Sequence, residues 1–112
     1  MDLITWSDFE KIHLVAGTIL AAKVFEKAKK PAYQLEIDFG PEIGVLKSSA
    51  QITVHYTPDE LVGKQIVSII NFPKKQIANF MSECLVTGFP DENGDIVLTT
   101  LDKPVPNGSR LM

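Results

Sequence analysis

Side chains that could bind a ligand are concentrated between positions 71 and 86 of this 112-residue sequence. Lysine ammonium groups can meet phosphates as point charges, and side-chain amides can hydrogen-bond the sugar or base edges of an unpaired or bent RNA segment. The alternative interpretation is a solvated turn in which Asn71 bonds its own backbone and Ser82 and Glu83 satisfy local amides. The candidate binding residues here are Asn71, Lys74, Lys75, Gln76, Asn79, Ser82 and Glu83.

Two further polar sets are separate candidates for ligand contact. One lies on a predicted strand, where it could belong to a binding face or equally to an ordinary solvent-exposed strand face. The other is a dense basic run, which suits phosphate contact but is usually only solvated surface. The strand set is Lys47, Ser48, Ser49 and Gln51, and the basic run is Lys23, Lys27, Lys29 and Lys30.

Phe72, Phe80 and Met81 add large apolar side chains to the same stretch. If exposed, they would form an adaptable apolar patch suited to unfolded polypeptide, or would stack on bases. If buried, they belong to the barrel core or to a dimer interface, and we favour burial. Their exposure therefore separates two kinds of ligand.

Catalysis has little support in the sequence. Cys84 could be a nucleophile with His13 or His55 as its base, but it lies in an apolar run where an inert buried thiol is the usual finding. The two histidines and one cysteine lack zinc-site spacing, and no glycine-rich phosphate loop is present. We predict a protein that is not an enzyme and needs no metal or cofactor.

Length and composition set the class. The chain suits one domain over residues 1–112, and its net charge of −3 argues against nonspecific coating of nucleic acid. A single cysteine, no long apolar run and no signal-peptide pattern predict a cytoplasmic protein without membrane insertion.

The hydrophobic pattern predicts short strands with small helices between them. The clearest strand is residues 32–39, where Tyr33, Leu35 and Ile37 alternate with polar residues. Gly17 suggests a bulge or a sharp bend in the first strand. Such a pattern is typical of a small closed or partly closed barrel, but leaves open an OB-fold, an SH3-like barrel or a sandwich. The predicted helices are 7–11, with a Ser7–Glu10 capping box, and one beginning at Thr57; the other predicted strands are 13–25, 45–52, 65–70, 84–89 and 96–100.

Several segments resemble the tRNA-binding domain family, and more closely its stand-alone CsaA-type branch of export-related chaperones. The resemblance implies an all-β, five-stranded OB-fold barrel with short helices that forms a homodimer partly through its chain ends. It implies tRNA or other structured RNA as a partner, or unfolded preproteins together with a secretion-pathway component. The resembling segments include Val15-Ala16-Gly17-Thr18-Ile19, Tyr33 to Gly40, Asn71-Phe72-Pro73-Lys74-Lys75-Gln76-Ile77, Lys47 to Thr53, Met81-Ser82-Glu83-Cys84-Leu85-Val86 and Pro104 to Gly108.

The sequence also departs from the wider family. Cys84 and Leu85 stand where the tRNA-binding members usually have Gly and Met, and residues 78–81 replace an Arg-Gly. These changes remove a cation and add apolar surface, which favours a protein ligand.

Apolar residues at both chain ends predict dimerisation, because a small barrel could not bury them alone. The predicted interface residues are Leu3, Ile4, Trp6, Phe9, Val105 and Leu111.

Overall fold

The computed structural model describes residues 1–112 as a mostly β structure with two short helices. The helices are α1 (Trp6–Glu10) and α2 (Pro58–Leu61). The strands are β1 (Leu14–Val24), β2 (Tyr33–Asp38), β3 (Val45–Ala50), β4 (Gln65–Ile69), β5 (Lys75–Ile77), β6 (Phe80–Ser82), β7 (Leu85–Val86), β8 (Gly88–Pro90) and β9 (Ile96–Leu98).

Five strands form a nearly closed barrel in the order β3-β2-β1-β4-β7. The long strand β1 makes this possible, because its first half pairs with β4 and its second half pairs with β2. Two small hairpins, β5–β6 and β8–β9, extend from the barrel. The predicted combination of a small barrel with short helices is confirmed.

Strand β2 supplies the centre of the core. Leu35 and Ile37 are fully buried and Tyr33 nearly so, while Glu36 between them is exposed. This is the alternation that the sequence predicts, since successive side chains of a strand point to opposite faces. Phe39 continues the buried series beyond the end of the strand.

Gly17 has a different role from the predicted bulge. The register of β1 against β2 shifts between Ile19 and Ala21, three residues further on. At Gly17 an added Cβ would lie 2.6 Å from the Phe39 ring and 2.8 Å from Ile37 Cγ2. Glycine is therefore needed for close packing of the core against β1, and the irregularity in strand pairing lies beyond it.

Helix α1 begins one residue before the predicted range 7–11, and its N-cap lies two residues before the predicted Ser7. Its N-cap is Thr5, whose hydroxyl accepts from the Asp8 amide at 3.1 Å while the Asp8 carboxylate accepts from the Thr5 amide at 3.0 Å. The capping box is therefore Thr5–Asp8. Helix α2 starts as predicted, with Thr57 as its N-cap and proline in the first turn.

Both chain ends lie beside the start of β1. The Leu111 amide donates to the Leu14 carbonyl at 2.8 Å, and the Arg110 guanidinium donates to the Glu10 carbonyl. The C-terminal segment therefore follows the first half of β1 and brings Leu111 to the end of the barrel that carries α1.

The segment after Ile70 is more ordered than the predicted loop, and the predicted strand 84–89 is interrupted. Residues 75–82 form the antiparallel β5–β6 hairpin, and residues 84–89 divide into β7 and β8. The predicted hairpin turn at residues 91–95 is confirmed between β8 and β9. Neither helix has the length and apolar character that crossing a membrane requires.

Candidate nucleic-acid interface

The β5–β6 hairpin projects from the rim of the barrel and carries most of the predicted binding residues. Its turn places Ala78 at φ 51°, a left-handed conformation that usually favours glycine. The half-buried Phe80 ring packs on the Phe25 ring with centroids 5.4 Å apart, and Lys47 Nζ lies 5.4 Å from the Phe80 centroid. An aromatic contact therefore anchors the hairpin to the barrel wall.

The barrel closes between β3 and residues 82–84, and we call this junction the seam. The Glu83 amide donates to the Lys47 carbonyl at 2.7 Å. Two further bonds use side chains as acceptors: Glu83 Oε1 accepts from the Lys47 amide at 2.9 Å, and Ser82 Oγ accepts from the Ser49 amide at 3.1 Å. These two side chains accept from backbone amides on the edge of β3. In a continuous sheet, carbonyl groups of a neighbouring strand would accept from those amides.

Glu83 also holds one of the two adjacent lysines. Lys74 Nζ lies 3.4 Å from Glu83 Oε2, the carboxylate oxygen that the seam does not use. The Lys47 backbone amide, followed by the Lys74 ammonium, holds the pKa of the Glu83 carboxyl below its ordinary value. Glu83 is therefore a charged acceptor with partners on both oxygens.

An open groove of about 600 Å³ lies between the β1–β2 turn and the β5–β6 hairpin. We call it the lysine groove, because both of its sides carry lysines. Polar groups also line it, and Ala32 and Ile77 add alkyl surface. The four lysines are Lys27, Lys29, Lys30 and Lys75, and the polar groups are Ser49, Gln51 and Gln76.

The two adjacent lysines therefore differ. Lys74 is paired with Glu83, whereas Lys75 lines the groove and makes no ion pair. The basic run at Lys27, Lys29 and Lys30, distant in sequence from Lys75, faces it across the groove. Sequence reasoning treated these two basic sets separately, and nothing in their spacing could have brought them together.

Several predicted contacts have structural partners instead. Asn71 Oδ1 accepts from the His13 amide at 3.0 Å and its Nδ2 donates to the Lys11 carbonyl at 2.7 Å, so this side chain joins the α1–β1 connection to the end of β4. Gln76 Nε2 donates to the Ala78 carbonyl at 2.8 Å within the hairpin turn. Asn79 is exposed beside Lys23 and Lys27.

Ser48 is fully buried and cannot reach a ligand. Its hydroxyl donates to the Cys84 carbonyl at 3.0 Å, so it belongs to the interior side of the seam. Lys47 and Ser49 flank it on the opposite face of β3, and Gln51 is exposed beyond the strand. We therefore exclude Ser48 from the set of contacts proposed below.

The three large apolar residues divide between two environments. Phe72 is 54% exposed and Met81 is 36% exposed, whereas Phe80 is half-buried against Phe25. Phe72 and Met81 therefore lie outside the barrel core, and their burial in a dimer interface stays a prediction. Phe72 and the exposed Leu85 line an apolar depression of about 270 Å³ whose floor includes Cys84.

Cys84 is buried beneath the seam. Burial raises the pKa of its thiol to about 11, so almost none of it is thiolate at neutral pH. This environment suits an inert core thiol, as the sequence predicts.

His55, Asp91 and Asp95 form a cluster that sequence reasoning missed, because 36 residues separate His55 from Asp91. His55 Nε2 lies 2.7 Å from Asp91 Oδ2, and one potential ligand atom from each residue lies within 4.8 Å of the others. Asp91 Oδ1 accepts from the Asn93 and Asp95 amides, both at 2.9 Å. The cluster therefore fixes the β8–β9 turn against the segment before α2.

The nearly closed barrel presents a lysine-lined groove and an exposed apolar depression, which are surfaces of the kind that small ligand-binding domains use. The chain belongs to the family described as "Putative tRNA binding domain", whose model matches residues 14–110. This confirms the family resemblance.

The chain is similar to proteins of two groups. It is similar to the chaperone CsaA of Bacillus anthracis (TM-score 0.92, 45% identity, 99% of this chain and 100% of that one). It is also similar to the CsaA chaperone protein of Picrophilus torridus (TM-score 0.90, 47% identity, 98% of this chain and 100% of that one). The methionine–tRNA ligase of Methanocaldococcus jannaschii is 32% identical over 111 residues, which are 99% of this chain and 17% of that enzyme.

The chain thus spans about a sixth of the length of the curated relatives that it matches. The family model and the structural neighbours describe tRNA-binding and chaperone proteins, not a catalytic family.

Proposed function

We propose that the protein is a noncatalytic OB-fold domain that binds tRNA or another structured RNA through the lysine groove. The observation that carries the proposal is the convergence of Lys27, Lys29, Lys30 and Lys75 around one groove although the whole chain has a net charge of −3. Local positive charge in an acidic protein favours a specific phosphate-rich ligand over general coating of nucleic acid.

The proposed contacts are assigned by whether the polar group of each side chain already has a partner within the chain. Lysine ammonium groups on both sides of the groove would contact backbone phosphates. Ser49, Gln51 and Asn79 would hydrogen-bond sugar or base edges of an unpaired or bent segment. Lys47, Asn71, Lys74, Gln76, Ser82 and Glu83 would support this surface, because each already has a partner within the chain.

Fluorescence anisotropy of labelled bulk tRNA tests the proposal directly. We expect a dissociation constant that is micromolar or tighter at about 50 mM salt and rises steeply by about 200 mM, because each neutralised phosphate contributes about 0.9 to the salt slope. An unlabelled 12-nucleotide RNA should compete more weakly than tRNA. Absence of saturable tRNA binding at 50 mM salt would refute the proposal.

A second candidate function is chaperone activity toward unfolded export precursors. The specific observation that favours it is the apolar depression at Phe72 and Leu85, which are both exposed and lie next to Lys75. An extended polypeptide could place an apolar side chain there and an acidic one on the lysine. A secretion-pathway component would then receive the precursor in the cytoplasm.

Suppression of aggregation of a refolding preprotein tests this second function. We expect Phe72→Ser/Leu85→Ser to lose most of the suppression, because the substitutions remove the apolar surface without touching the buried core. Phe89→Ser/Val97→Ser, which changes two exposed apolar residues on the separate β8–β9 hairpin, is the matched control. Equal suppression by both variants would place the polypeptide site elsewhere.

We further propose that two copies associate through the end of the barrel where both chain termini lie. Leu3, Ile4, Trp6 and Leu111 are exposed there, and the half-buried Phe9 ring packs against Trp6 at a tilt of 49°, with centroids 5.1 Å apart. The Arg110 bond to Glu10 joins the two termini into one surface. Val105 is exposed on the tail that leads to it.

Sedimentation equilibrium tests the proposed association. We expect a mass of two chains at micromolar concentration for the wild type, and a shift toward 12.4 kDa for Trp6→Ser/Leu111→Ser, because the apolar area of the interface would be reduced. Val24→Ser, an exposed apolar residue at the other end of β1, should leave the mass unchanged. A wild-type mass of one chain would contradict the proposed dimer.

A further inference from the structure

We propose that Glu83 selects which lysines of this surface bind phosphate, by sequestering Lys74 while it closes the barrel. The inference rests on the proposed function of the lysine groove. It assigns Glu83 a positioning and specificity role in place of a direct contact with the ligand.

The geometry of the carboxylate supports this role. Oε1 accepts from the Lys47 amide at 2.9 Å, and the Glu83 amide donates to the Lys47 carbonyl at 2.7 Å. These two bonds fix the Glu83 backbone and side chain to β3. The second oxygen, Oε2, is then held facing Lys74 Nζ at 3.4 Å.

Exposure of the two partners indicates which one is fixed. The Glu83 side chain is 18% exposed and that of Lys74 is 63% exposed, so the anion is held by the seam and the cation comes to it from solvent. A phosphate that approached Lys74 would also approach this carboxylate, and like charges at close range repel. Lys75, the next residue, forms no ion pair with a carboxylate and faces the three lysines of the β1–β2 turn.

The pair therefore directs anionic ligands to one side of the hairpin. Without the Glu83 charge, Lys74 would become a fifth cation available to phosphate. Because the seam needs only an oxygen acceptor at Oε1, the amide of glutamine can keep the barrel closed while it removes the charge. The charge and the seam can thus be separated experimentally.

The test measures the salt dependence of tRNA binding for Glu83→Gln, Glu83→Gln/Lys74→Ala and the control Glu92→Gln. Glu92 is exposed in the turn between β8 and β9, and its substitution makes the same change in net charge. We expect Glu83→Gln to bind tRNA severalfold more tightly at 50 mM salt, with a salt slope steeper than that of Glu92→Gln by about 0.7 to 0.9. Adding Lys74→Ala to Glu83→Gln should return the salt slope to that of Glu92→Gln.

Two results would overturn the inference. One is an equal slope for Glu83→Gln and Glu92→Gln. The other is a loss of about one from the slope when Lys74→Ala alone is made in the wild type, because Lys74 would then already bind phosphate.

Amide hydrogen exchange tests the role of Glu83 at the seam without RNA. We expect the Lys47 amide to remain protected in Glu83→Gln and to exchange at least tenfold faster in Glu83→Ala, which removes the acceptor. Equal protection in both variants would refute the seam role. Wild-type protein that fails to bind tRNA would refute the proposed function and the selection of lysines together, while exchange at Lys47 would still decide the role of the seam.

Discussion

Replacing Lys29, Lys30 and Lys75 together with alanine is expected to lower tRNA affinity by about 100-fold at 50 mM salt, taking about 1 kcal/mol for each exposed charge contact. These residues line both sides of the lysine groove and have no ion-pair partner within the chain, so each is free to meet a phosphate. The salt slope should flatten by about two to three, because each lost phosphate contact removes about 0.9. Anisotropy titrations at 50, 100 and 200 mM salt measure both quantities.

The matched control is Lys11→Ala/Lys64→Ala/Lys103→Ala, which makes the same change in net charge. Lys11 pairs with Asp8 on α1, Lys64 lies over the Tyr56 ring, and both Lys64 and Lys103 line a different cleft. We expect this control to lower affinity only slightly through the overall field of the protein. Similar losses in the two triple variants would mean that general charge, and not the groove, binds the RNA.

Gly17→Ala is expected to destabilise the barrel by about 1 to 3 kcal/mol, the usual cost of overpacking. The added methyl group would lie 2.6 Å from the Phe39 ring, which is buried in the core and cannot swing into solvent. Urea unfolding followed by far-ultraviolet circular dichroism measures the free energy of unfolding. Tryptophan fluorescence is less suitable, because Trp6 is exposed on α1.

A second substitution separates the steric clash from other effects of the change. Phe39→Leu removes ring atoms that the new methyl group would meet, so the double variant Gly17→Ala/Phe39→Leu should be more stable than the sum of the two single effects predicts, with a coupling of about 1 kcal/mol or more. Val24→Ala, exposed on the same strand, should stay within about 0.5 kcal/mol of the wild type. Full additivity would show that Gly17 is not needed for contact with Phe39.

Local patterning predicted the barrel well because its strands alternate. Tyr33, Leu35 and Ile37 each face the core as the period of two requires. The start of α2 likewise has a local cause that can be read from the sequence, since Thr57 and a proline in the first turn favour a helix N-terminus. Gly17 was recognised as unusual, but its reason lies in Phe39, which is distant in sequence and could be found only in the folded chain.

The β5–β6 hairpin escaped prediction because its local signals are weak. Each strand has three residues, one of them carries Lys75 and Gln76, and the turn uses Ala78 where glycine is expected. The sequence suggested that Ser82 and Glu83 either contact a ligand or accept from local amides, yet the amides that they accept from lie on β3, more than thirty residues away. A sequence can indicate that such side chains matter, whereas only the folded barrel reveals that they accept backbone hydrogen bonds.

Assigned amide spectra of the isotope-labelled protein, recorded during titration with unlabelled tRNA, show where on this chain the RNA binds. We predict that shift changes and line broadening at low ligand ratio concentrate on residues 27–30, 49–51 and 75–79, the segments that surround the lysine groove. Perturbations confined to other surfaces, such as the cleft at residues 100–105, would contradict the assignment of the lysine groove as the RNA site.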